Sequence, residues 1–345
     1  SYINNKKGKN KMKPFTKLDV NKYLQDSCNN QNLNTESIDG VKVIDANLAQ
    51  ITRYLKKYYG FSNLLTTSKS QNKLGKTFKE LGIFSIGVSL APFTSGKVKL
   101  ILESGNYIID LCNHSTPSCR KTCVIANAGN PAYLKGKLKA MNRRTEFLID
   151  KPRLFLAVLL RLVELKAAYC IKNGFKMTMR GNIASDIDYE SISVIYKNHM
   201  AAYSNVIDSY LKTTSRDSIM YDYTKNPNRH QDSKYFKAYS VTDYDNSKIE
   251  KALKNGLPLA MVFDTPRNKT LPPFYSFNIN GVTRKLPIVD GDSHDYLPES
   301  KKLFKDNFYI YGLRFKHKAS HNKEKRQQTI NRHLLSGFIR HAAAA

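Results

Sequence analysis

Ser218-Ile219-Met220-Tyr221, Phe236-Lys237-Ala238-Tyr239-Ser240 and Leu259-Ala260-Met261-Val262-Phe263 are short runs rich in apolar, aromatic and β-branched residues, the composition of strands. Between the second and third, Ser247–Asn255 reads as a helix. Each strand run passes straight into polar or reactive side chains: Asp222, Tyr223 and Lys225, then Thr242 and Asp243, then Asp264 and Arg267. Short strands separated by helices or loops predict an α/β fold with a largely parallel sheet.

The same unit recurs outward. Upstream, Lys176–Met179 runs into Arg180, Asn182, Ser185, Asp186 and Asp188. Downstream, Leu286–Val289 ends in Asp290, Asp292, His294 and Asp295, and Phe308–Leu313 ends in Arg314, Lys316 and His317. Ile83–Leu90, Val98–Leu102 and Asn106–Leu111 read as earlier strands, the last closing on Asp110 and Cys112. Helices are expected over Asn47–Tyr58, over about 131–172 with a break at Asp150-Lys151-Pro152, and over Ile187–Tyr203. In the long helical region Leu154, Phe155, Val158, Leu162 and Leu165 mark one apolar face. This many strands suits a complete or partial (β/α) barrel. The expected organisation is a disordered basic arm over 1–13, a helical N-terminal region over 14–80, a barrel-like core over 81–320 and a basic tail over 321–345. The most apolar run, Leu154–Leu165, is interrupted by Arg161 and Glu164, so no membrane span is expected.

Charge narrows the function. The 345 residues carry 56 Lys and Arg against 28 Asp and Glu, a net charge of +28. Such an excess repels itself unless a polyanion is a working partner, and nucleic acid is the expected one. A solvated surface rich in Lys and Asn through codon bias is the bland alternative. Lys135, Lys139 and Arg143 are four residues apart and share a helix face. With Arg144, Arg314 and Lys316 they are the expected phosphate contacts.

Cys112, Cys119 and Cys123 form C-x6-C-x3-C directly after a strand. Thiolates gathered in one polar loop suit an iron–sulfur cluster or zinc. The paired C-x2-C knuckles common in structural zinc sites are absent. Three cysteines suit a 4Fe-4S cluster whose fourth iron is open or held by a small molecule, water, His114 or Cys170. Cys28 reads as an incidental thiol and Cys170 as a core residue. Five cysteines make no disulfide framework, which points to a reducing compartment.

Polar residues at the same phase of successive strands predict one shared pocket built from Arg180, Asn182, Ser185, Asp186, Lys225 and Asp264. Tyr221 and Tyr223 would stack on bases beside Lys225. In a second reading one of them is a nucleophile toward DNA phosphate, with a divalent metal on Asp290, Asp292 and His294. The histidine-hydrophobe-histidine motif of many tyrosine-dependent nicking enzymes is absent, since His317 and His321 are spaced differently.

Several motifs carry a resemblance. Leu90-Ala91-Pro92, Ser95-Gly96, Cys112, Ser118-Cys119, Cys123 and Ala128-Gly129-Asn130 come first. Arg143-Arg144-Thr145, Met179-Arg180-Gly181-Asn182, Ser185-Asp186-Ile187 and Tyr221-Asp222-Tyr223-Thr224-Lys225 follow, then Val289-Asp290-Gly291-Asp292, His294-Asp295 and Tyr311-Gly312-Leu313. In this order, over about residues 70–320, they resemble the phage gene product 88 family, which is often labelled as similar to rolling-circle replication initiators. Relatives commonly carry a bulkier apolar residue at the position of Gly181. A weaker, architectural likeness is to radical-SAM enzymes, whose three cysteines leave one iron open. Their C-x3-C-x2-C spacing differs from the one here. The resemblance implies a phage protein in the cytoplasm of the infected host cell. The first expected function is an iron–sulfur protein that binds nucleic acid in phage DNA replication or nucleic-acid modification. The alternatives are a rolling-circle-type nicking or strand-transfer endonuclease and a zinc-stabilised structural or interaction protein.

Overall fold

The computed structural model describes residues 15–92, 99–102, 105–121, 123, 131–243, 245–266, 268–279, 281–299, 308–315 and 339–340, with single positions 328, 331 and 334. The basic arm, most of the basic tail, Lys316 and His317 lie outside the described residues.

The apolar runs become strands of one ten-stranded sheet. In chain order they are β1 (Leu65–Thr67), β2 (Ile83–Val88), β3 (Lys176–Arg180), β4 (Met220–Thr224), β5 (Tyr235–Ser240), β6 (Leu259–Phe263), β7 (Phe274–Ile279), β8 (Val282–Asp290), β9 (Ile310–Arg314) and β10 (Ile339–Arg340). They lie in the order β7-β8-β9-β6-β5-β4-β3-β2-β1, with β10 added against β6. Only the edge ladders β1·β2 and β7·β8 are antiparallel, and the rest are parallel. No ladder joins β1 to β7 among the described residues, so the sheet is open and no closed barrel forms there. Next to β5 the sheet divides. Tyr239 and Ser240 pair with Leu259 and Ala260, whereas Val262 and Phe263 pair with Ile339 and Arg340.

The chain from Pro131 to Lys172 folds as two helices, Pro131–Asp150 and Pro152–Lys172, with Pro152 at the start of the second. Proline fits a first helical turn, where its missing N–H has no acceptor to satisfy. The second helix buries Leu156, Ala157, Leu159, Leu160 and Val163 as well as the expected face. It is a central helix, packed between the sheet and several helices. The two charged residues that interrupt its apolar run are satisfied where they lie. Arg161 pairs with Glu164 at 2.8 Å and donates to the carbonyl of Ala46, and Glu164 also meets Lys197.

The helix expected over Ile187–Tyr203 does not form. Ser193–Tyr196 and His199–Ala202 make a hairpin, and the helix begins at Tyr203 and runs to Lys212. The burial of Val194 and Tyr196 alternates with half-buried Ser193 and Ile195, a period of two that favours a strand. Lys197 turns the hairpin at φ +51°. The N-terminal region is less helical than expected. Helices Val20–Cys28, Leu48–Tyr59 and Asn72–Leu81 are interleaved with short strands, one of them β1. Its Leu24, Cys28, Ile51 and Leu55 share one hydrophobic core with the helix Pro152–Lys172 and with β2 and β3.

β4 runs three residues beyond the expected strand end at Tyr221. Alternation along it places Tyr221 and Tyr223 on one face and Asp222 on the other.

Candidate functional site: a thiol loop at the strand ends

The described part of the segment Asp110–Cys123 lies at the carboxyl ends of the sheet strands and is fastened to the residues that follow β3 and β5. The Asp186 amide donates to Leu111 O at 2.7 Å, and the Cys112 thiol donates to Ala184 O at 3.5 Å. Thr116 Oγ1 meets Thr242 Oγ1 at 2.9 Å, and the Ser118 hydroxyl donates to the Asp243 carboxylate. Within the loop, Asp110 accepts from the Cys112 amide at 2.9 Å and pairs with Arg120 at 3.1 Å and Lys17 at 2.9 Å. A short helix, Pro117–Lys121, carries Cys119, whose amide donates to Thr116 Oγ1 at 3.2 Å. Asp243 has φ +61°, a left-handed conformation that an aspartate tolerates better than most residues.

Lys225 joins the loop to the sheet. Its amide donates to Asp186 Oδ2 at 2.8 Å. Its ammonium donates to Ser240 O at 2.7 Å, Ser240 Oγ at 2.8 Å and Thr242 Oγ1 at 3.4 Å. Part of the side chain is exposed, yet protein crowds Nζ and pushes its pKa below the usual lysine range. Negative charge at Cys119, Asp186, Asp243 and Cys112 opposes that fall. Burial raises the Cys119 thiol, with Lys225 pulling it back down and Cys123 adding to the rise. The three loop thiols form no disulfide and are half-exposed, while Cys28 and Cys170 are fully buried. Apolar surroundings push those two up to about 12 and about 11. Cys28 is therefore a core residue rather than a thiol of a polar stretch, and Cys170 points into the core.

The expected pocket residues divide among four places. Asp186 and Lys225 face the thiol loop. Asn182 and Ser185 sit behind it. The Asn182 amide donates to both oxygens of Asp222, at 2.8 and 3.0 Å, and its side-chain amide donates to Oδ2 at 2.8 Å. Asn182 Oδ1 accepts from Ser185 Oγ at 2.7 Å and from the Ile187 amide at 2.9 Å. Arg180 lies on the opposite sheet face, pairing with Asp295 at 2.8 Å and covering the Tyr223 ring at 4.8 Å. The Asp264 amide donates to Arg340 O at 3.1 Å, and Arg340 donates to Asp243 O at 2.6 Å. β10 thus braces the rim of the site.

Behind the loop is an ionic cluster that the strand pattern did not announce. Arg229 meets Asp186 at 3.4 Å and Glu190 at 2.5 Å, and the buried Lys237 meets Glu190 at 3.2 Å. A lysine midway along an apolar strand run was the one available signal. Gly181 is packed where an added Cβ would run into Met220 Cε and lie 3.1 Å from Tyr189. A bulkier residue here would have to displace the Met220 side chain.

The metal-dependent nicking arrangement is not assembled. Arg314 pairs with Asp290 at 2.9 Å and Asp292 at 3.4 Å and donates to Lys269 O. The two carboxylates and the expected phosphate contact therefore hold one another. Burial pushes His294 below the usual histidine range. Tyr221 is 0% exposed, its hydroxyl 3.3 Å from Asp295, so it offers no ring face to a base. Burial raises both tyrosine hydroxyls well above their ordinary range. Tyr223 lies within electrostatic reach of Asp292. Among the described residues no three His, Cys, Asp or Glu side chains converge as one bound ion requires. Of the basic-helix residues, Lys135 and Lys139 are exposed. Arg143 is engaged with Gly60 O, and Arg144 donates to Asn63 O at 2.9 Å and Ser89 O at 3.3 Å.

Asp222 yields a pH prediction. Burial pushes its carboxyl up to about 6, above the unfolded value of about 4. The folded state therefore binds the proton more tightly between those values. The stability from this group is fully present below pH about 4 and is lost as pH rises through 6, by up to about 3 kcal/mol. Urea unfolding of wild type and Asp222→Asn should show wild type losing ground to the variant across that window. A constant difference between the two would refute the shift.

The model of one protein family, gene product 88, matches residues 64–332. No curated protein and no solved structure matches the chain.

Proposed function

The chain belongs to the gene product 88 family, and from the site its own residues build we propose that it is a phage iron–sulfur protein that binds nucleic acid, acting in phage DNA replication or nucleic-acid modification. One observation carries this reading. Cys112 and Cys119 lie within electrostatic reach of Lys225, and Cys123 within reach of Cys119. Three half-exposed thiols of one loop, none in a disulfide, thus lie near one another at the ends of parallel strands. Thiolates are the ligands of iron–sulfur clusters. The donor set fits a 4Fe-4S cluster on Cys112, Cys119 and Cys123, with the fourth iron left to His114, water or a small molecule. The sequential order of β2 to β6 supports a partial barrel with this loop at its mouth. Thiols in no disulfide suit the reducing cytoplasm of an infected host.

Protein purified without oxygen should be brown and carry iron and acid-labile sulfide. Colourless protein with one zinc per chain would replace the cluster with the zinc-stabilised reading.

The net charge of +28 supports the second half of the proposal. Affinity for nucleic acid should fall steeply with salt, because each neutralised phosphate releases counterions. Lys135→Glu with Lys139→Glu should weaken binding to all sequences alike and flatten the salt slope by roughly 1.4–1.8. Arg143 is kept intact because it supports Gly60. An absence of binding at low salt would reduce the charge to a feature of composition.

A further inference from the structure

Resting on the nucleic-acid half of that reading, we propose that the partner is a single strand, which lies along the exposed N-terminal half of the helix Pro131–Asp150 and stacks a base on Tyr133.

Tyr133 is 75% exposed and makes no hydrogen bond or ring contact with the described residues. Of the other exposed aromatics, Phe308 is less open at 43%, and Tyr58 and Phe274 are already occupied. Tyr58 donates to Asp39 and has Lys57 over its ring at 4.7 Å, and Phe274 has Lys285 over its ring at 4.6 Å. A large bare ring costs solvation unless something covers it, and every base has a π-face that suits it.

The surroundings choose the partner. No acidic residue occurs between Asp110 and Glu146, while Lys135, Lys137 and Lys139 follow Tyr133 and are all exposed. One helical turn beyond Tyr133, on the same face, Gly136 has no described residue within 4 Å of the place a Cβ would occupy. Among the described residues nothing crowds that side of the ring. Lys137, four residues on, shares the face of the ring, while Lys135 and Lys139 project from the other side of the same exposed half-helix; a flexible strand whose bases are free to splay is the polyanion that can reach both. In a duplex the base faces are stacked on one another and unavailable to the ring. The same helix leads toward the thiol loop, because Lys137 lies within electrostatic reach of Cys123. A strand held on Tyr133 would pass near the proposed cluster.

The test is fluorescence anisotropy with a labelled oligothymidylate, compared with a mixed-sequence duplex at the same salt. Tyr133→Ala should weaken single-strand binding roughly 5- to 150-fold, the equivalent of about 1–3 kcal/mol per stacked base. Tyr133→Phe should stay within about twofold of wild type, because the ring remains. Duplex binding should be weaker and indifferent to Tyr133. Iron and sulfide content should match wild type in both variants. Wild-type binding that survives Tyr133→Ala unchanged overturns this inference while leaving the proposed function standing. A Tyr133-dependent duplex complex as tight as the single-strand one overturns the choice of partner. A wild-type protein that binds neither probe overturns the nucleic-acid reading itself.

Discussion

Cys119→Ala, purified without oxygen, is expected to lose iron and acid-labile sulfide together, and Cys123→Ala to do the same. Loss should be nearly complete, because removing one thiolate from a set of three leaves two protein ligands for a cluster. The control is internal. Cys170→Ala removes a thiol of the core, and Cys28→Ala another. Each should cost some packing stability and leave the visible absorption in place. The four variants separate ligation from damage, since a general loss of fold would bleach all of them. Iron retained in both Cys119→Ala and Cys123→Ala would defeat the assignment of the loop as ligand. Lys225→Met bears on the same site more gently. It removes a positive charge beside Cys112 and Cys119, so any bound cluster should become harder to reduce while keeping its iron.

The second large effect is on stability. Asp295→Ala should cost about 3–5 kcal/mol, the range for stranding one partner of a buried ion pair. Arg180 and Asp295 are 7% and 4% exposed and 2.8 Å apart. The Asp295 carboxylate also accepts from Tyr221. Without it the guanidinium keeps, among the described residues, the Tyr223 ring and the more distant Asp222. A shift in the urea midpoint at constant slope measures the loss. Arg180→Met combined with Asp295→Leu should recover much of it, since apolar replacement of both partners removes the stranded charge. A single-variant loss under about 1 kcal/mol would mean that the pair is solvated in solution.

Much of the sheet was legible because its strands are short, apolar and bounded by polar residues. Leu259–Phe263 was read without error. The hairpin at Ser193–Ala202 was missed because its apolar residues also satisfy a helical spacing, and only cross-strand pairing with Gln31 and Asn32 settles the choice. The thiol loop stood out by residue type alone. The role of Lys225 at that loop could not be read, because it depends on Ser240 and Thr242 from the next strand. Tyr221 misled for a related reason. A tyrosine near a strand end looks available until Asp295 and Tyr296, far along the chain, close over it.

β10 has a consequence in time. Arg340 holds the backbone of Asp243, which in turn receives Ser118 from the thiol loop. On the ribosome, Cys112, Cys119 and Cys123 emerge long before residue 340. Until β10 arrives to pair with β6 beyond the end of β5, the loop has a sheet to rest on but lacks one of its braces. Synthesis therefore orders the events: thiols first, their clasp more than two hundred residues later. Any metal taken up early would be held by a loop still free to adjust, and fastened only once residue 340 has emerged.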